Sequence, residues 1–96
     1  MIKLRPDETQ LTGRWVRAGS KVVGDDTCAR IHRLTSELLV ELVRDASGWN
    51  TLYRDPQDGR LWELSYPKGD LHGGGPPQLS CIAERRAKDV YGYGAA

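Results

Sequence analysis

Several things are missing from this 96-residue chain, and each absence narrows what it can be. No apolar run approaches the roughly 18 residues of a membrane-spanning helix, so none is expected. The opening residues, Met1-Ile-Lys-Leu-Arg-Pro-Asp-Glu, lack an apolar stretch of about seven, and no secretory signal is read there. Neither sign of charge dominates. Lys and Arg number 14 against 13 Asp and Glu, a net charge of +1, which gives no global attraction to nucleic acid or anionic lipid. The densest basic stretch, Glu84-Arg85-Arg86-Ala87-Lys88, is short, carries its own acid and reads as a solvated helix face. Cys28 and Cys81 lie far apart in sequence. With no targeting signal, both read as reduced, buried small hydrophobes, and a disulfide stays open only if the fold brings them together. These two with His32 and His72 are too few and too scattered for a metal site, so no metal and no cofactor are expected.

Catalytic motifs are missing too. His72-Gly73-Gly74-Gly75 would suit an oxyanion loop, but the Gly-x-Ser-x-Gly elbow that such a loop serves is absent and the chain is too short for that fold. Three glycines ahead of Pro76-Pro77 fit neither the phosphate-cradling nor the dinucleotide-binding glycine pattern. Neither histidine has a Cys, Asp or Glu partner at a recognisable spacing. No catalytic residue is assigned, and the chain is expected to hold a partner, not to transform a substrate.

What is present suggests one small domain that buries roughly 60–65% of its unfolded surface. Residues 1–11 are expected as a flexible arm, 12–82 as the core, 83–92 as a C-terminal helix and 93–96 as a tail. Thr12-Gly-Arg-Trp-Val-Arg reads as a strand anchored by Trp15, and Lys21-Val-Val as its return after a turn at 18–20. Asp25, Asp26 or Thr27 can cap a helix whose apolar stripe is Cys28, Ile31, Leu34 and Leu38, ending near 35–36. Residues 38–45 alternate as a strand. Residues 49–54 and 60–66 form a hairpin about Asp55-Pro56-Gln57-Asp58-Gly59, with Trp62, Leu64 and Tyr66 on one face. Glu63 points the other way, exposed or paired with Arg54 or Arg60. Residues 78–82 make a last strand, and 83–91 a helix stopped by Gly92 and Gly94. The sum is α+β: a two-layer domain with a mostly antiparallel sheet of four or five short strands, one early helix and one at the C-terminus.

The irregular connection from Pro67 to Pro77 is long for a loop without secondary structure, and such loops are often functional. Its glycines admit unusual backbone conformations, and Pro76-Pro77 stiffens the exit. A stiff ridge beside aromatic strands loses little entropy when a partner docks. The expected partner-binding residues are Trp49, Tyr53, Arg54, Asp55, Asp58, Arg60, His72, Gly73, Gly74 and Gly75. Trp15, Trp49 and Trp62 read as core or half-core, with Trp49 and Tyr53 also suited to anchor an interface.

In order and spacing, these fragments resemble the immunity protein 27 family of bacterial polymorphic toxin systems. The resemblance runs from about Leu11 to Ile82. It is carried by Leu11-Thr-Gly-Arg-Trp, Val23-Gly-Asp, Cys28-x-Arg30-Ile31, Ser47-Gly48-Trp49 and Leu52-Tyr53-Arg54-Asp55-Pro56. Asp58-Gly59-Arg60, Trp62-Glu63-Leu64-x-Tyr66-Pro67, His72-Gly-Gly-Gly-Pro-Pro and Leu79 continue it. It implies a small cytoplasmic α+β protein without enzymatic activity, made beside a toxin and protecting its producer by binding that toxin. It transfers no catalytic residue. The alternative is a non-catalytic binding module or regulatory subunit with a non-toxin partner. No membrane or direct nucleic-acid partner is expected, and an exposed sheet edge could pair two copies into a homodimer.

Overall fold

The computed structural model describes residues 2–68 and 75–94. In chain order the elements are β1 (Gln10–Thr12), β2 (Trp15–Ala18), β3 (Lys21–Gly24), α1 (Asp26–Arg33), a π-helical turn (Leu34–Leu38), β4 (Val40–Arg44), β5 (Thr51–Arg54), β6 (Leu61–Ser65), β7 (Gln78–Ile82) and α2 (Glu84–Tyr91). The expected α+β domain forms: a five-stranded antiparallel sheet in the order β1-β7-β6-β5-β4, with β2 and β3 as a separate hairpin.

The central hairpin is built by its turn. Asp55 Oδ1 accepts from Gln57 N at 2.8 Å, Asp58 Oδ1 from Arg60 N at 3.0 Å, and Gly59 takes a φ of +79°. Asx bonds and a glycine in the left-handed region set the register, which places Tyr53 opposite Trp62 and Leu52 opposite Glu63. Strand alternation then divides the sheet. Tyr53, Trp62 and Leu79 face one side with Ile31 and Leu34, under Leu4, Leu11 and Leu39. Leu52 and Leu61 face the other with Ala87, beside Ile82, Tyr91 and Tyr93. The two helices therefore cover opposite faces of the sheet.

α1 begins where the sequence marks it: Asp25 accepts from Cys28 N at 2.9 Å. Its end differs. The helix does not stop at 35–36 but runs into a π turn closed by Leu39 N to the Leu34 carbonyl at 2.8 Å. Thr35 Oγ1 and Ser36 Oγ bond the carbonyls of Ile31 and His32, competing for the α-helical acceptors. The extra residue turns both Leu34 and Leu39 into the core. In β4 the register shifts between Glu41 and Val43. This bulge lets neighbouring Leu42 and Val43 both pack on the second core. It also blunts the free edge, together with the Arg44–Glu41 pair.

Two expectations change. The first strand is broken at Gly13, because the chain passes so close to β7 that Gly13 N bonds the Pro77 carbonyl at 2.8 Å. A Cβ on Gly13 would lie 2.8 Å from that oxygen. β1 joins the large sheet, while β2 leaves to form the hairpin with β3. The segment expected as a loose arm also lies against the body: Leu4 is buried, and Glu8 is clamped by Arg30 through contacts of 2.6 Å to each carboxylate oxygen. Arg60 Nη1 and Nη2 hold the carbonyls of Glu8 and Arg5 at 2.7 and 3.0 Å. The signal was weak because these partners are separated by more than 20 positions. Both cysteines are free.

Candidate partner-binding surface

Sheet registry sorts the loops into two ends. Thr12 pairs with Gln78, Gln78 with Ser65, Leu64 with Thr51 and Thr51 with Arg44. The exit of β1 toward the β2–β3 hairpin, both stems of the glycine connection, and the β4–β5 turn therefore share one end. The 55–60 turn occupies the other. β5 is about 13 Å long at roughly 3.3 Å per residue, so the expected binding residues do not form one patch.

At the first end stands Trp49, 61% exposed, where a core or half-core residue was expected. Its turn is rigidly built. Asp45 Oδ1 accepts from Ser47 Oγ at 2.6 Å and Gly48 N at 3.0 Å; Asp45 Oδ2 accepts from Asn50 Nδ2 at 2.8 Å; and Ser47 Oγ accepts from Trp49 N at 3.1 Å. The Ser47 hydroxyl, ahead of the Asn50 and Gly48 contacts, holds the Asp45 carboxyl below its usual range. Gly48 has a φ of +77°. The Trp49 ring meets Tyr66 edge-on, with centroids 5.8 Å apart. An aromatic side chain presented on a fixed turn has the character of an interface anchor.

The same end of the sheet holds a groove of about 490 Å³ lined by residues 12–15, 67–68 and 76–78. Pro76 and Pro77 are buried, and Gly75 is buried with a φ of +76°. A Cβ at Gly75 would collide with the Lys68 carbonyl. The stems of the connection are thus locked together. Gly75 acts as a strut, not as a contact. His72, Gly73 and Gly74 lie outside the described residues.

The β2–β3 hairpin projects from the same end, and every residue in its strands is exposed. Cross-strand pairing puts Trp15, Arg17 and Val22 on one face and Val16, Ala18, Lys21 and Val23 on the other. Val22 is 63% exposed and Trp15 40%. Trp15 does not anchor the core; its ring lies over Gly24. The sequence showed the apolar residues of this hairpin, but nothing in its pattern revealed that neither face would be covered.

The remaining expected residues are engaged elsewhere. Tyr53 is 7% exposed and Asp55 fully buried, both on the α1 side of the sheet, so neither is offered to a partner. Arg54 is half-buried on the α2 side. Arg60 is engaged three ways: with Asp58 Oδ2 at 2.6 Å, with the N-terminal carbonyls, and over the Trp62 ring at 4.9 Å. Asp58 is exposed but holds Arg60. Glu63 pairs with neither Arg54 nor Arg60. It is buried on the α2 side, bonded to Arg86 Nη2 at 3.2 Å and Tyr91 Oη at 2.7 Å. Burial first, then the bond to Glu63, raises the Tyr91 phenol well above its usual value.

Among the described residues, no group of three or more His, Cys, Asp and Glu could hold a metal ion, and no helix is long and apolar enough to cross a membrane. A family model described as immunity protein 27 matches residues 17–83. Comparison with curated proteins finds no match, and neither does comparison with solved structures.

Proposed function

The chain belongs to the immunity protein 27 family, and from that premise we propose that it binds a cognate bacterial toxin and neutralises it by stoichiometric occlusion, making and breaking no covalent bond. The observation that carries this reading is the family match itself, which takes in four of the five strands of the large sheet, α1 and most of the β2–β3 hairpin. Physical support comes from the end of the sheet where Trp49, the glycine connection and the hairpin converge. A standard interface covers about 800 Å² per partner, a sizeable share of the 6368 Å² of accessible surface here. The locked Asp45 and Gly75 turns reduce the ordering cost of docking. The toxin is expected from a neighbouring gene, with protection acting in the producer's cytoplasm.

The test is co-expression with that neighbouring gene. The expected result is restored growth and a complex of fixed stoichiometry on size-exclusion chromatography, with protection rising in proportion to the amount of this protein. Protection by far less than an equimolar amount would replace occlusion with catalysis. Absence of both protection and complex would end the reading.

A further inference from the structure

Charge is distributed unevenly over this surface. Six arginines, Arg5, Arg30, Arg33, Arg44, Arg60 and Arg86, pair with carboxylates. Lys3, Arg54, Arg85 and Lys88, elsewhere on the chain, have no ion-pair partner among the described residues, and neither do Arg14, Arg17, Lys21 and Lys68. The latter four belong to the hairpin or line the groove at its base. No Asp or Glu occurs in residues 12–24 or in the described groove-lining residues. Asp70, two positions after Lys68, lies outside the described residues; the other nearby acids differ in availability. Asp25 is occupied as the α1 cap, and Asp26 sits in the first turn of that helix. Asp45, at the same end of the sheet, is bonded within its own turn.

The cations are interleaved with apolar side chains. Arg17 shares a face with Trp15 and Val22, and Lys21 shares the other with Val16 and Val23. Two-stranded hairpins are at best marginally stable alone in water, and this one carries four large apolar residues at 39–63% exposure. Such a surface is stabilised by burial of the valines and tryptophan against a partner and by carboxylates that meet the unpaired cations.

Resting on the immunity reading, we propose that the β2–β3 hairpin and the groove beneath it are the principal toxin-docking element, and that they fit an acidic face of the toxin with an apolar centre rimmed by carboxylates. The valines on both faces favour a protein occupant over a nucleic acid, whose backbone offers phosphates but no apolar cover for them. The overall charge of the chain conceals this feature, because the hairpin, residues 12–24, carries three cations and no acid while the rest of the chain is balanced or slightly acidic.

The probe is the purified product of the adjoining gene, titrated against the full chain by calorimetry. Three variants are compared with wild type: Arg17→Glu with Lys21→Glu, Val22→Ser with Val23→Ser, and, as a control on α2, Arg85→Glu with Lys88→Glu. Thermal melting of each confirms folding. Both hairpin variants are expected to lose at least tenfold in affinity and the control to lose less than threefold. Raising salt from about 50 to 500 mM should weaken the wild type by about tenfold and the charge-reversed hairpin far less. If the wild type binds and all hairpin variants bind equally well, this assignment is wrong while the immunity reading stands. If the wild type does not bind, both fall. Loss of binding to a single-stranded oligonucleotide in the hairpin variants, with toxin binding intact, would overturn the choice of a protein partner.

Discussion

Arg30 grips Glu8 as a fork: Nη1 meets Oε2 and Nη2 meets Oε1, each at 2.6 Å. This pair ties the N-terminal segment to α1, and the Arg30 hydrogen bonds hold the Glu8 carboxyl down to about 2 against an ordinary value of 4.5. Because the folded value is depressed, the stability it confers is fully present above about pH 4.5 and is lost as pH falls toward 2. The shift corresponds to roughly 3 kcal/mol. Glu8→Gln is therefore expected to be less stable at pH 7 by an amount of that order, and to show a flatter dependence of Tm on pH between 5 and 2. Equal slopes for variant and wild type would show that the fork contributes nothing.

Gly75 and Gly59 both have positive φ, yet they should respond differently to alanine. At Gly59 nothing lies within 4 Å of a new Cβ, so the cost is backbone strain alone, about 1–2 kcal/mol. At Gly75 the Cβ also meets the Lys68 carbonyl, and the expected loss is about 2–4 kcal/mol. Urea denaturation of the two variants checks the order. Equal losses would show that the stems of the connection are not locked.

Glu63 is a buried carboxylate whose donors both come from α2. Tyr91→Phe removes the 2.7 Å hydroxyl bond to Oε2 and is expected to cost about 1.5–3 kcal/mol. The phenol has a raised folded pKa, so its contribution is full below about pH 10 and declines as pH rises through the folded value. In a spectrophotometric titration, Tyr91→Phe should remove one late-ionising phenol. An unchanged alkaline limb would remove Tyr91 from this network.

Trp49 is 61% exposed and meets Tyr66 edge-on. Trp49→Ala is expected to alter stability by no more than about 1 kcal/mol while weakening toxin binding by about 2 kcal/mol, near thirtyfold. Titration calorimetry and thermal melting separate the two effects. A large stability loss with unchanged affinity would make Trp49 a structural residue.

The readings that succeeded rest on local chemistry. Asx turns and glycine at 55–59, the Asp25 cap, the apolar stripe that starts in α1 and the alternation of β6 are interactions between near neighbours, so they are written in short windows. The readings that failed depended on long-range company. Tyr53 was expected as an interface anchor and Asp55 as a contact in the turn, but both are buried on the side of the sheet that α1 and the N-terminal segment cover. Arg60 was expected to meet a partner or Glu63, but it is engaged by the segment 52 to 55 residues earlier. Glu63 found Arg86 and Tyr91 because α2 packs on the second face.

By itself, then, the sequence determined the elements, the family and the absence of familiar catalytic motifs, because propensity, turn chemistry and ordered motifs act locally along the chain. Only the tertiary structure decided which aromatic residues would be covered. Burial depends on what crosses above a strand, and that is why Trp62 is enclosed while Trp15 and Trp49 face solvent. It likewise decided that the acid-free stretch 12–24, with Arg14, Arg17 and Lys21, would stand on an exposed hairpin and not against the body of the sheet.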